Sequence, residues 1–290
     1  MSPPSLLPVP GTPVDGHVHF YSIHDLRTSL DAAVGSMKDV RINAAKGSGL
    51  SAVGVLCLTE DARHDAFSGL AEGRIQVPEW SIVSTGEAEA LWATRSDGTR
   101  LLILAGYQVV TAEGLEVLAL RTSVRPKDGA VLDSTTRSIA QHGGLAVLPW
   151  AFGKWWFGRG RVLIGHLASP DRVDLYLGDN GGRPSLLPGA EPYALAGKHG
   201  LVVLPGSDPL PIPGHEVRTG SYGFVLEGEV PEERPARWFG DAVASLSVSP
   251  PTFGARVSLG QFVRDQAALR KGSAGPVGSS KGDSDLRGVS

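Results

Sequence analysis

The sequence predicts an α/β fold, a TIM-like β/α barrel with one local hairpin. Three observations lead there. Short, continuous apolar runs recur along the chain, helix-like segments separate several of them, and each run ends in a polar or glycine-rich stop. Runs that are apolar on both faces suit strands of a parallel sheet covered by helices. A chain of 290 residues is long enough for one such barrel.

Residues 1–13 form a proline-rich leader that lacks the basic start and apolar stretch of a signal peptide. The first strand carries Asp15-Gly16-His17-Val18-His19. Asp25 to Met37 sets Leu26, Leu30, Ala33, Val34 and Met37 at helical spacing. Val53 to Leu58 is the next strand and runs into Thr59-Glu60-Asp61. It contains Cys57, the one cysteine of the chain, which reads as a small buried hydrophobe. Leu101 to Thr111 and Leu115 to Thr122 are both strand-like and only Ala112-Glu113-Gly114 parts them, so they form a hairpin. Ser134 to His142 is a helix stopped by Gly143-Gly144. Leu145 to Leu148, Val173 to Leu177 and Leu201 to Leu204 are further strands, with a helix from Ala190 to His199 ahead of the last. Residues 14–270 then make a single domain, and the glycine, serine and charge of residues 271–290 predict a disordered tail.

The bulk composition narrows the function. Hydrophobic residues make up 41% and charged residues 20%, an ordinary globular balance, and the formal net charge is −3. With no basic surplus, neither nucleic acid nor an anionic membrane is expected as partner. No run approaches the roughly 18 apolar residues of a membrane span. A lone cysteine fits a reducing compartment. A cytoplasmic protein acting on a small molecule is the expectation.

In α/β folds the residues just past the strands' carboxyl ends gather at one mouth, where ligands bind. His17 and His19 alternate on a strand, so both imidazoles can face one ion, with Asp15 placed to orient a ring. Two histidines on a solvated face, or a hydrogen-bonded pair at a strand end, would show the same spacing. Residues 152–161 alternate four aromatics with three cations among glycines. They form either a lid in which Lys154 holds an anion, or a loop whose tryptophans pack down. Gly178-Asp179-Asn180-Gly181-Gly182-Arg183 is a turn in its own right, in which Asp179 can act as general base and Arg183 can receive an anionic group. His24 and His64 follow the first two strand ends, and His215 lies in a proline-glycine loop.

The same motifs resemble the polymerase-and-histidinol-phosphatase (PHP) family, and more remotely the amidohydrolases, both of which open with His-x-His on the first strand. Over residues 14 to 224, Leu58-Thr59-Glu60-Asp61 is similar to the family's Thr-Asp-His, and Gly106-Tyr107-Gln108 to its Gly-x-Glu. Leu115-Glu116-Val117-Leu118 is similar to its returning strand, and Gly206-Ser207-Asp208-Pro209 to its Gly-Ser-Asp-Ala-His. The resemblance implies a distorted barrel and a metal-dependent hydrolase that turns metal-activated water on a phosphoester, or an amide, of a small anionic substrate. It implies one divalent ion, or two at most, zinc or manganese, on His17, His19 and Asp208 with carboxylates from Glu60 or Glu116, and the loops at the mouth add Lys154, Asp179 and Arg183 as catalytic candidates. Gln108 stands where the family has a bridging glutamate, and the histidines after a middle strand and after Asp208 are missing. A barrel that has lost catalysis and binds a small anionic or glycan ligand is therefore the alternative. Glu60 and Asp61 also fit helix caps, Asp208 fits a turn, and Glu116 needs either an ion or a base beside it.

Overall fold

The structure, a computed structural model, describes residues 11–38, 53–150, 175–185 and 200–273, with positions 40, 162, 164–166 and 193. The aromatic loop at 152–161 with Lys154, the helix expected from Ala190 to His199 apart from position 193, and residues 274–290 of the expected tail lie outside the described residues.

In chain order the elements are β1 (Gly11–Val18), α1 (Leu26–Ser36), β2 (Gly54–Leu58), α2 (Ala66–Ala71), β3 (Trp80–Ser84), β4 (Ala90–Arg95), β5 (Arg100–Leu104) and β6 (Gly106–Val110). They continue with β7 (Glu116–Leu120), α3 (Leu132–Gln141), β8 (Leu145–Pro149), β9 (Leu175–Asn180), β10 (Val203–Gly206) and a 3-10 turn (His215–Arg218). The series ends with β11 (Tyr222–Glu227), α4 (Pro235–Ala244), β12 (Thr252–Gly254) and α5 (Leu259–Ser273).

Local signals account for most of these. β2 is buried along its whole length, Cys57 included, as an all-apolar strand between covered faces must be. At the start of α1 the Asp25 carboxylate accepts from the Thr28 N–H at 2.7 Å, a side-chain cap for an orphan donor. Glu113, in the turn of the β6–β7 hairpin, does the same for α3 by accepting from Leu132 N–H at 3.0 Å.

The strands do not close a β/α barrel. They divide into a seven-stranded sheet, ordered β12-β11-β1-β2-β5-β4-β3, and a five-stranded sheet, ordered β10-β9-β8-β7-β6. Both are mixed. β1-β2-β5 and β8-β9-β10 run parallel, while β3-β4-β5, β6-β7-β8 and β1-β11-β12 pair antiparallel. The reason lies in the connections. A parallel neighbour needs a crossover of a dozen or more residues, whereas β3, β4 and β5 are joined by residues 85–89 and 96–99 alone. The expected β6–β7 hairpin is present, with Val109 opposite Val117. The β3–β4 and β4–β5 hairpins and the antiparallel pairing of β11 with β1 and with β12, which follows α4, were not expected, and they turn the barrel into two sheets.

The two sheets share a core in which Val14, Val55 and Leu102 of one meet Leu118, Val147 and Leu204 of the other. They also touch at two short edge contacts. Gln108 N–H donates to Glu60 O at 2.9 Å, and Asp208 N–H donates to His17 O at 2.9 Å. The second contact brings the loop after β10 onto the end of β1. Among the described residues no helix is long and apolar enough to cross a membrane.

Candidate metal centre

His17 ends in a strand whose backbone is braced by Asp15. That carboxylate is fully buried and accepts from the N–H groups of His17, Ser207 and Gly220 at 3.2, 2.8 and 2.8 Å and from the Ser207 hydroxyl at 2.5 Å. Burial raises its pKa to about 7 against the pull of those four donors. Asp15 thus holds three backbone segments together, through bonds to three N–H groups and one hydroxyl rather than to a ring. The ring-orienting role foreseen for it is replaced by a tie between β1, the loop after β10 and the start of β11.

The tie sets three ligand atoms around one point. His17 Nε2 and His19 Nε2 stand 3.0 Å apart, and Asp208 Oδ1 lies 3.6 and 3.7 Å from them. A point about 2.0 Å from all three closes that triangle, the length of zinc bonds to imidazole nitrogen and carboxylate oxygen. Burial, the largest influence, lowers the pKa of His17 to about 4 and of His19 to about 3, while the charges of Glu116 and Asp208 act in the opposite direction. Both rings are therefore neutral at pH 7, with lone pairs to offer. His17, His19 and Asp208 form a cluster that could hold a metal ion.

Asp208 reaches this position through a left-handed backbone, φ 51°, which aspartate tolerates better than most residues. Its other oxygen, Oδ2, accepts from Asn180 Nδ2 at 2.9 Å, and the same amide donates to Trp150 O at 2.7 Å. The amide thereby leaves Oδ1 turned to the histidines. All three ligands line an open cavity of about 240 Å³, shared with Gln108, Glu116 and Asn180.

The other predicted site residues fall differently. Glu116 lines the cavity and acts electrostatically on His17, but it is outside the three-residue cluster. Glu60 accepts from Ala66 N–H at 2.5 Å and Phe67 N–H at 3.2 Å, capping α2, so the cap reading holds for it. Asp61 is bound to His64 Nδ1 at 2.7 Å and to Arg63. Asp179 and Arg183 pair with each other through two bonds of 2.6 and 2.8 Å, both side chains buried, and Tyr222 adds its hydroxyl to Asp179 at 3.0 Å. Alternation along β9 explains this: Asn180 faces the cavity, so Asp179 faces away from it. Asp179 and Arg183, foreseen in catalysis, form a buried ion pair that ties the turn down and do not line the metal cavity.

Three contributors escaped the sequence reading. Tyr21 stacks on His19, with centroids 5.0 Å apart and planes at 20°. Asn180 sat inside a turn signal that drew attention to its neighbours. The helix α5 lends Phe262, Asp265, Gln266 and Leu269 to the cavity wall. Spacing by three and four residues along 262–269 marks a helix, although nothing local says what it covers.

The pKa of Glu60 offers a test of its placement. Burial raises it from 4.5 to about 7, although the Ala66 and Phe67 N–H groups pull it down. A carboxyl that binds its proton more tightly when folded loses stabilisation as pH rises through the window from 4.5 to about 7. Glu60→Gln keeps an acceptor for the α2 N–H groups and removes the titration. Urea unfolding should therefore show wild type losing stability relative to Glu60→Gln across that window. Parallel pH curves would contradict the buried cap.

No family model matches the chain, and no curated protein matches it significantly. The chain is similar in fold to PsfC. The crystal structure of PsfC from Pseudomonas syringae PB-5123 gives a TM-score of 0.53 at 18% identity, covering 90% of this chain and 98% of that one. At that identity the likeness to PsfC speaks for the fold alone, and the PHP resemblance rests on the sequence motifs.

Proposed function

We propose that this protein is a metal-dependent hydrolase in which one ion, held by His17, His19 and Asp208, activates water against a phosphoester of a small substrate. The observation that carries the proposal is the convergence of three lone-pair atoms, separated by 3.0, 3.6 and 3.7 Å, on the wall of an open cavity. The two imidazoles share a hydrogen bond of 3.0 Å, and a divalent cation would take its place by accepting lone pairs from both rings and from the Asp208 carboxylate at once. Three protein ligands leave a further coordination position, the arrangement in which a metal lowers the pKa of bound water and polarises an oxygen of the substrate.

Two imidazoles and one carboxylate are a donor set that zinc accepts, and manganese enters through the resemblance to the PHP family. No lysine or arginine lines this cavity among the described residues, and an ion held by His17, His19 and Asp208 would supply positive charge there. Glu116, on the cavity wall, is the carboxylate best placed to receive a proton from the attacking water.

Hydrolysis of p-nitrophenyl phosphate and bis(p-nitrophenyl) phosphate by zinc- or manganese-loaded protein tests the proposal. Turnover is expected with metal, is expected to vanish with chelator, and should fall at least about 100-fold in Asp208→Asn. Tight binding of these esters without turnover, by protein shown to carry an ion, would sink the catalytic reading in favour of a ligand-binding protein.

A further inference from the structure

Beside the metal cavity lies a second and larger one, about 600 Å³ against about 240 Å³. Tyr21, Pro211 and Leu269 line both, so the two are chambers with a common partition. The Tyr21 ring spans that partition. One face stacks on the metal ligand His19, and its edge contacts include His64, 5.0 Å away at 84°. His64 lines the second chamber and is fixed in orientation by Asp61 at its Nδ1. Ile23, also on the second wall, is 47% exposed, an apolar side chain with much of its surface uncovered.

We infer that the second chamber receives the leaving-group end of the substrate, and that this end is a flat aromatic ring. The inference rests on the phosphoester reading of the metal centre. A phosphoester held at the metal centre would have this adjoining space open to its leaving group, and the space is bounded by a tyrosine, an imidazole, an isoleucine, a proline, a leucine, an alanine and a serine. Such walls offer a ring both stacking and apolar contact. A methyl ester would not reach His64 or Ile23, which line the second chamber alone. Arg63 stands at the outer margin, 79% exposed on its side chain and already paired with Asp61, so it tolerates a polar substituent on the ring without demanding one.

The test uses two phosphonates that cannot be hydrolysed and differ only in the group under question. Phenylphosphonate and methylphosphonate are titrated calorimetrically into zinc-loaded protein, its zinc content established by elemental analysis. The phenyl compound should bind about tenfold or more tightly, the return on burying one ring face. Ala268→Trp, which fills the second chamber from α5, and Ile23→Asp, which makes its wall polar, should each bring the ratio of affinities toward one. Equal affinities in wild type, or a phenyl preference that both variants keep, would overturn the inference and leave the metal centre standing. Failure of either phosphonate to bind protein that carries zinc would overturn the phosphoester reading, and the inference with it.

Discussion

Replacing His17 and His19 together by alanine is expected to reduce bound zinc to background while the protein stays folded. The two imidazoles supply two of the three ligand atoms, and Asp208 left alone is a single carboxylate with 16% side-chain exposure. Even partners outside the ligand set usually change metal affinity about 10- to 100-fold, so loss of two direct ligands should exceed that by far. The fold should survive because the backbone around the histidines is held from the other side. Asp15 accepts from His17 N–H, and Asp208 N–H reaches His17 O, bonds that ignore the side chain at that position. Zinc content after dialysis, with circular dichroism to confirm the fold, decides the matter. Unchanged zinc in the folded double variant would place the ion elsewhere and remove the basis of the proposed activity.

Gly206→Ala should cost both stability and metal affinity, although Gly206 supplies no ligand atom. Gly206 ends β10 where that strand crosses β1, and a Cβ there would overlap the backbone nitrogen and Cβ of His17. Neither atom belongs to a side-chain tip that can swing aside, so the two strands would have to part. Their separation strains the Asp208 N–H to His17 O bond and draws Asp208 Oδ1 away from the histidines. Overpacking of a rigid core site costs about 1–3 kcal/mol, and a ligand moved by an ångström no longer closes a triangle sized for bonds of about 2 Å. Chemical denaturation and a chelator-competition titration measure the two effects. A variant with wild-type stability and wild-type zinc affinity would show that the close approach of β10 to β1 does not assemble the site.

The histidine pair and Asp208 were legible in the sequence for different reasons. His17 and His19 alternate at the end of a strand, which periodicity alone places, while Asp208 was picked out by the resemblance of Gly206-Ser207-Asp208-Pro209 to the PHP motif after an apolar run. Glu60 and Asp179 share that property and yet turn elsewhere. For Glu60 the deciding partners are the N–H groups of α2, and for Asp179 a guanidinium four residues on. A carboxylate after a strand announces that it needs a partner, and only the packed chain says which one it finds.

The same division holds for the architecture. Strand-forming runs at 54–58, 100–104 and 145–149, the helices α1 and α3, and the β6–β7 hairpin follow from local pattern, because propensity, capping and turn length act over a few residues. Which strands become neighbours depends on pairings between distant segments. The short links at 85–89 and 96–99 fold β3 and β4 back beside β5, β11 enters antiparallel to β1, and what would have been one barrel is two mixed sheets. By itself the sequence determined that two imidazoles and a carboxylate would stand at strand ends. The tertiary structure decided that a glycine-thin crossing of β10 on β1 brings them within bonding distance of one ion, and that α5 walls the space around it, because those contacts join residues nearly two hundred positions apart or more, beyond the reach of any local pattern.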